Sequence, residues 1–105
     1  MVYYSQKAIA DLDRIFEGLL LWPKLNLEYN HVVKYHNELR NVCDLLDSKS
    51  YHFQAKFEEH KKYGNKVYCY NRNKNTNWYI IYDIDLASNT VFIQHITSNH
   101  ITVSE

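Results

Sequence analysis

Glycine is nearly missing from this chain, with two in 105 residues, and proline occurs once, as Pro23. So little of either excludes a collagen-like repeat, a low-complexity segment or a long disordered tract. Cysteine is scarce too. Cys43 and Cys69 lie far apart with no Cys-x-x-Cys, which points to free thiols in a reducing cytoplasm rather than a disulfide framework. An excess of one charge is also lacking: twelve Lys and Arg balance twelve Asp and Glu, and six His remain. The overall balance is not that of a strongly basic nucleic-acid binder, although a local basic face stays open. No apolar run approaches the ~20 residues of a membrane-spanning helix. The start, MVYYSQK, has no apolar signal segment. A soluble, cytoplasmic protein is expected.

What is present is enough for one folded domain spanning 1–105, with 46% apolar residues and ten Tyr. Tyrosine packs like a large apolar residue but needs a hydroxyl partner when buried. The least ambiguous stretch is NWYIIYDIDLASNTVFIQHI, Asn77 to Ile96. Two β-branched and aromatic runs flank the polar segment Asp85 to Asn89, the pattern of two antiparallel strands with a tight connection. Alternation puts Trp78, Ile80, Tyr82 and Ile84 on one face and Tyr79, Ile81 and Asp83 on the other. In the second run it groups Val91, Ile93 and His95 against Phe92, Gln94 and Ile96. Large apolar groups on both faces imply central strands covered at least partly on each side.

Earlier segments supply the cover. Met1 to Tyr4 can add a short strand. Ser5 is a candidate N-cap for a helix whose stripe is Ile9, Leu12, Ile15, Phe16, Leu19 and Leu20. Pro23 stops that helix. Asn26 can cap a second, with Val32, Leu39, Val42, Cys43 and Leu46 as its stripe. The short connection predicts an antiparallel helical hairpin. Tyr51 to Tyr63 is ambiguous; as a helix it would place Phe53 and Phe57 on one face. Gly64-Asn65 marks a turn. Lys66 to Arg72 alternates like a strand, with Val67 and Cys69 opposite Tyr68, Tyr70 and Arg72. Asn71 to Asn77 turns it back into the central hairpin. The expected class is α+β: a helical hairpin packed on a small, mainly antiparallel sheet in the order β-α-α-β-β-β.

This order, together with SQKAIADLDRIFEGL, GNKVYCYNRN, NWYIIYDID and NTVFIQHI, resembles the RelE/ParE superfamily of toxins from bacterial type II toxin–antitoxin (plasmid stabilisation) modules. Ala8, Leu12 and Ile15 sit where that family's first helix usually has small and apolar residues. The resemblance implies a toxin neutralised by a cognate antitoxin that wraps it. Some members cut messenger RNA on the ribosome, with basic side chains on the concave face of the sheet and a His or Tyr near the C-terminus. Others poison DNA gyrase without cutting RNA. Where many relatives have Tyr-Arg before the central apolar run, this chain has Trp78-Tyr79, and Tyr79 cannot supply a cation at neutral pH.

Cleavage by a 2′-hydroxyl needs a proton acceptor, a proton donor and cations around the phosphate. The candidates are Arg72 at the end of its strand, Lys74 in the following turn, and His95 and His100 at the end of the last strand. Each has a plainer reading. His95 fits a satisfied histidine at the edge of the core, His100 a solvated tail residue, and Arg72 and Lys74 a solvated hairpin tip. Tyr68, Tyr70 and Tyr82 suit either a stacking platform for bases or the outer layer of a packed sheet. His31 and His36, five apart, stand ~140° around a helix and cannot share a metal ion there. No metal-ligand spacing, phosphate loop or nucleophile elbow occurs, and no cofactor is expected. Three functions remain: a ribosome-dependent, metal-independent mRNA endoribonuclease, a gyrase-binding toxin of the same fold, and a non-catalytic relative that only binds an antitoxin-like partner.

Overall fold

The computed structural model describes residues 1–21 and 28–99. The roles expected for Pro23, Asn26 and His100 therefore fall outside the described residues. Two helices pack on one face of an open five-stranded mixed sheet, an α+β arrangement. In chain order the elements are β1 (Val2–Tyr4), α1 (Gln6–Leu21), α2 (Tyr29–Asp44), a 3-10 turn (Leu46–Ser48), β2 (Phe53–Gln54), α3 (Glu58–Lys61), β3 (Lys66–Asn73), β4 (Thr76–Asp85) and β5 (Thr90–Ser98). The sheet order is β1-β5-β4-β3-β2. β1 runs parallel to β5, with Val2 beside Val91, and the other pairings are antiparallel.

Ser5 caps α1 as its type suggests: its Oγ accepts from the Ala8 N–H at 3.0 Å. The buried stripe of α1 is Ala8, Leu12, Ile15 and Leu19. It is rotated from the expected one, because Ile9 and Leu20 are exposed. Turning small Ala8 to the sheet lets the helix axis approach closely, and its neighbour Ile9 then lies about 100° around the helix. On α2, Val32, Tyr35, Leu39 and Cys43 are buried. The Leu12 carbonyl meets His36 Nε2 at 3.1 Å, and Phe16 stands edge-on to Tyr29. Later residues of α1 thus meet earlier residues of α2, so the pair is antiparallel.

The helices bury the sheet face bearing Trp78, Ile80, Tyr82, Val91, Ile93 and Ile96. Each such side chain contributes roughly 1.5–3 kcal/mol when fully buried. Tyrosine hydroxyls find partners as expected. The Trp78 indole N–H donates to the Tyr35 hydroxyl at 3.1 Å, Tyr70 donates to Glu38 at 2.7 Å, and Tyr82 meets His52 Nδ1 at 2.6 Å. Tyr82 is wholly buried, and Tyr68 and Tyr70 pack against the same core. These rings form part of a packed layer on the helical side of the sheet.

Pairing of β4 with β5 departs from simple alternation. Ile81 faces His95, but the next residue, Tyr82, faces Ile93, so Gln94 is an extra residue on β5. The bulge switches the parity of everything after it. Ile96 joins Val91 and Ile93 in the core, and His95 turns to the opposite side with Ile81. The grouping of His95 with Val91 and Ile93 is thereby corrected.

The second face has its own cover, drawn from the stretch whose character was ambiguous. It is neither one helix nor a loop: β2 pairs with Lys66 and Val67, α3 follows, and the chain crosses the sheet. Tyr63 stacks on His95, His60 leans on Tyr79, and Gly64 sits against Ile81.

Candidate functional site

The helix side and the far side of the sheet meet at one point, the edge of β5 beyond the end of β1. β1 covers β5 only as far as Ile93. The chain then leaves the sheet through Ser5, whose N–H donates to the Ile93 carbonyl at 2.9 Å and whose Oγ donates to the Gln94 carbonyl at 3.2 Å. Past this point, among the described residues, the edge N–H of Ile96 has no strand to pair with. α1 supplies Asp11 instead, and its Oδ2 accepts from Ile96 N at 3.1 Å.

The same oxygen lies 2.7 Å from His95 Nδ1. The bulge at Gln94 carries His95 to the edge, where its Nδ1 faces the carboxylate. Asp11 Oδ1 accepts from Lys7 Nζ at 3.2 Å and Arg14 Nη2 at 2.6 Å. These partners are one helical turn before and after it, where spacings of four and three put side chains on one face. Asp11 is 1% exposed. Burial pushes its carboxyl upward, but the bonds from His95, Ile96 N–H and Lys7 outweigh this and hold it down at about 2. It is therefore an anion at neutral pH, fixed on Nδ1 of His95. That assigns the Nδ1 proton to the bond with Asp11 and leaves Nε2 for proton transfer.

The other wall is aromatic. The Tyr63 ring lies 4.1 Å from the His95 ring, centre to centre, tilted by 34°. Lys7 Nζ is 5.0 Å and Lys62 Nζ 5.7 Å from the Tyr63 ring centre. The His95 side chain keeps 12% of its surface exposed between these walls. His60 is next along the same face, 5.1 Å from the Tyr79 ring. Its Nδ1 is buried without a hydrogen-bond partner among the described residues. Burial pushes His60 below the ordinary histidine value; Glu59 opposes this and His95 reinforces it.

Of the residues expected from sequence to act together, His95 alone lies in this cluster. Arg72 points toward the helices: its Nε donates to Glu38 at 2.8 Å and its guanidinium lies 3.8 Å over the Tyr35 ring. Lys74 is exposed in the turn between β3 and β4. The fold brings neither to His95, and His100 lies outside the described residues. Asp11, Lys7, Arg14 and Tyr63 are the neighbours that sequence reasoning missed. One signal was available, since Asp11 directly precedes Leu12 in an apolar stripe and has Lys7 and Arg14 at helical spacing.

Chemically, the arrangement can hold an imidazole in one orientation, move a proton at Nε2 and attract an anion. Lys7, Arg14 and Lys62 carry three positive charges against the negative charges of Asp11 and, beside His60, Glu59. Among the described residues, no group of three or more His, Cys, Asp or Glu side chains is placed to hold a metal ion, and no helix is long and apolar enough to cross a membrane. No family model, curated protein or solved structure matches the chain.

Proposed function

We propose that this chain is the toxin of a type II toxin–antitoxin module, of the RelE/ParE kind, and that it cleaves messenger RNA in the cytoplasm with His95 as its proton-transfer group. The observation that carries the reading is the buried Asp11 carboxylate on His95 Nδ1, with Lys7 and Arg14 on the same carboxylate. The order of two helices followed by consecutive antiparallel strands supports the kinship. A cognate antitoxin would bind the helical hairpin or an open edge of the sheet.

In the reaction, Nε2 accepts the proton of a ribose 2′-hydroxyl as its oxygen attacks the adjacent phosphorus. The P–O5′ bond breaks, leaving a 2′,3′-cyclic phosphate, and the departing 5′-oxygen takes a proton from water. Asp11 stabilises the imidazolium that forms. Lys7, Arg14 and Lys62 offset charge on the phosphate, a task Tyr79 cannot perform.

The test adds purified protein to translating ribosomes and maps new message ends. His95→Ala should lower the cleavage rate by about 10²–10⁴-fold. Uncut message with the unmodified protein would defeat the proposal. A second reading, a gyrase poison without RNA chemistry, is favoured by the engagement of Arg72 with Glu38 and by the zero net charge. Gyrase-dependent DNA cleavage in a supercoiling assay would select it. Growth without arrest on expression would leave a non-catalytic binder of an antitoxin-like protein.

A further inference from the structure

Three large rings stand in the open within seven residues. Tyr51 is 67% exposed, and Phe53 and Phe57 are 60% exposed each. Tyr51 and Phe53 contact edge to face at 4.7 Å between ring centres. A chain with this much core has no packing reason to leave three neighbouring aromatics in water, and such patches mark binding surfaces.

The rings connect to the candidate site by pairing register. Phe53 faces Val67, Val67 faces Ile81, and Ile81 faces His95. Residues directly opposite in a ladder project from the same face, so Phe53 and His95 share the far side of the sheet. Three strand spacings separate them, roughly 14 Å. Phe57 bridges part of the gap. It stands edge-on to His60 at 5.4 Å, His60 leans on Tyr79 at 5.1 Å, and Tyr79 lies beside the row that ends at His95. Exposed Lys56, Lys61 and Lys62 are interleaved with these rings. Glu58 and Glu59 stand among them, and Glu58 pairs with Lys61 at 3.7 Å.

We propose that Tyr51, Phe53 and Phe57 form a stacking track for unpaired bases of RNA, leading the strand to His95. This rests on the reading of the site as a ribonuclease and assigns it a single-stranded substrate path. The exposed side chains of the patch are planar rings, Gln54, the lysines Lys56, Lys61 and Lys62 and the acids Glu58 and Glu59, so lysine outnumbers acid by one, and no Leu, Ile, Val or Met is exposed among them. A partner helix would seek aliphatic side chains to interdigitate with. Bases offer flat π-faces, and phosphates offer negative charge to the lysines. Roughly 14 Å accommodates about four stacked nucleotides at ~3.4 Å each.

The experiment uses His95→Ala protein, so that RNA survives, and a fluorescent 12-nucleotide oligouridine read by anisotropy across a salt series. Tyr51→Ala, Phe53→Ala and Phe57→Ala should each weaken binding about tenfold, and Phe53→Leu and Phe57→Leu should be nearly as poor. The exposed positions predict unchanged far-UV circular dichroism. Failure of the parent to bind, equal binding by the triple alanine variant, or full binding by the leucine variants would overturn the track. So would a dimer seen in sedimentation that Phe53→Ala dissociates while RNA binding stays intact, since the patch would then join two copies of the chain. The two readings fail separately. Message cut normally by protein whose track variants bind RNA normally removes the track alone. Uncut message with ring-dependent oligonucleotide binding removes the cleavage reading alone.

Discussion

Asp11 concentrates more interactions than any other side chain described, and it does so from a buried position. Its carboxyl is held at about 2 in the folded protein, against an ordinary aspartate value of 3.8. A group whose folded value is depressed contributes stability that is fully present above the unfolded value. That contribution should be lost as pH falls from about 4 toward 2, and it amounts to about 2 kcal/mol. Urea unfolding at pH 7 and pH 2 measures most of it, and Asp11→Asn should flatten the difference. Asp11→Ala is a harsher change. It leaves the Ile96 N–H and His95 Nδ1 without their acceptor and two cations without their anion. A loss of roughly 3–5 kcal/mol is expected, and a smaller loss than for Asp11→Asn would contradict the network. His95 was legible in the sequence as a histidine in an apolar strand. Its partner was not, because an acid in a helix is read as solvent-facing until something is known to lie beneath it.

At the scale of elements, helix and strand types followed from periodicity, whereas their rotation and register did not. The α1 stripe was anchored on large residues, but the helix docks on Ala8, a choice that depends on how close the sheet lies. The β5 bulge is invisible in the alternation of TVFIQHI, because an extra residue changes parity without changing composition. Both misreadings bear on the site, since the rotation of α1 buries Asp11 and the bulge at Gln94 delivers His95 to it. Gly18 tests how α1 itself is held. It lies in the last turns of the helix, and an added Cβ would meet nothing within 4 Å. Alanine there reduces the freedom of the unfolded chain and suits a helix, so Gly18→Ala should stabilise by about 0.5–1 kcal/mol. A lower midpoint in thermal unfolding would mean that the surface around Gly18 is occupied.

Over the whole molecule, apolar groups on both faces of β4 and β5 imply two covers, and two are found. The helical cover was readable as two amphipathic stripes. The other is assembled from a two-residue strand, a four-residue helix and the turn after it, none long enough to show a period. Gly64 distinguishes this arrangement from an ordinary turn. Its φ is not positive, so its backbone does not require glycine. In an open turn, alanine would be neutral or mildly stabilising. Here a Cβ would stand 3.0 Å from Ile81 Cγ2 and 3.0 Å from the Tyr82 carbonyl oxygen. The backbone oxygen belongs to a central strand paired on both sides and cannot retreat, so the segment must lift instead. Gly64→Ala should therefore destabilise by about 1–3 kcal/mol, which lowers the midpoint by roughly 4–8 °C per kcal/mol in a domain of this size. Lifting should also loosen Tyr63 from His95 and His60 from Tyr79, and so raise amide hydrogen exchange in residues 57–64 ahead of the helices. In an Ile81→Ala background the Cγ2 contact is gone, and Gly64→Ala should cost less than in the parent. Equal costs in the two backgrounds, or a raised midpoint in the parent, would mean that this segment does not rest on the sheet and that the second face is covered by something else.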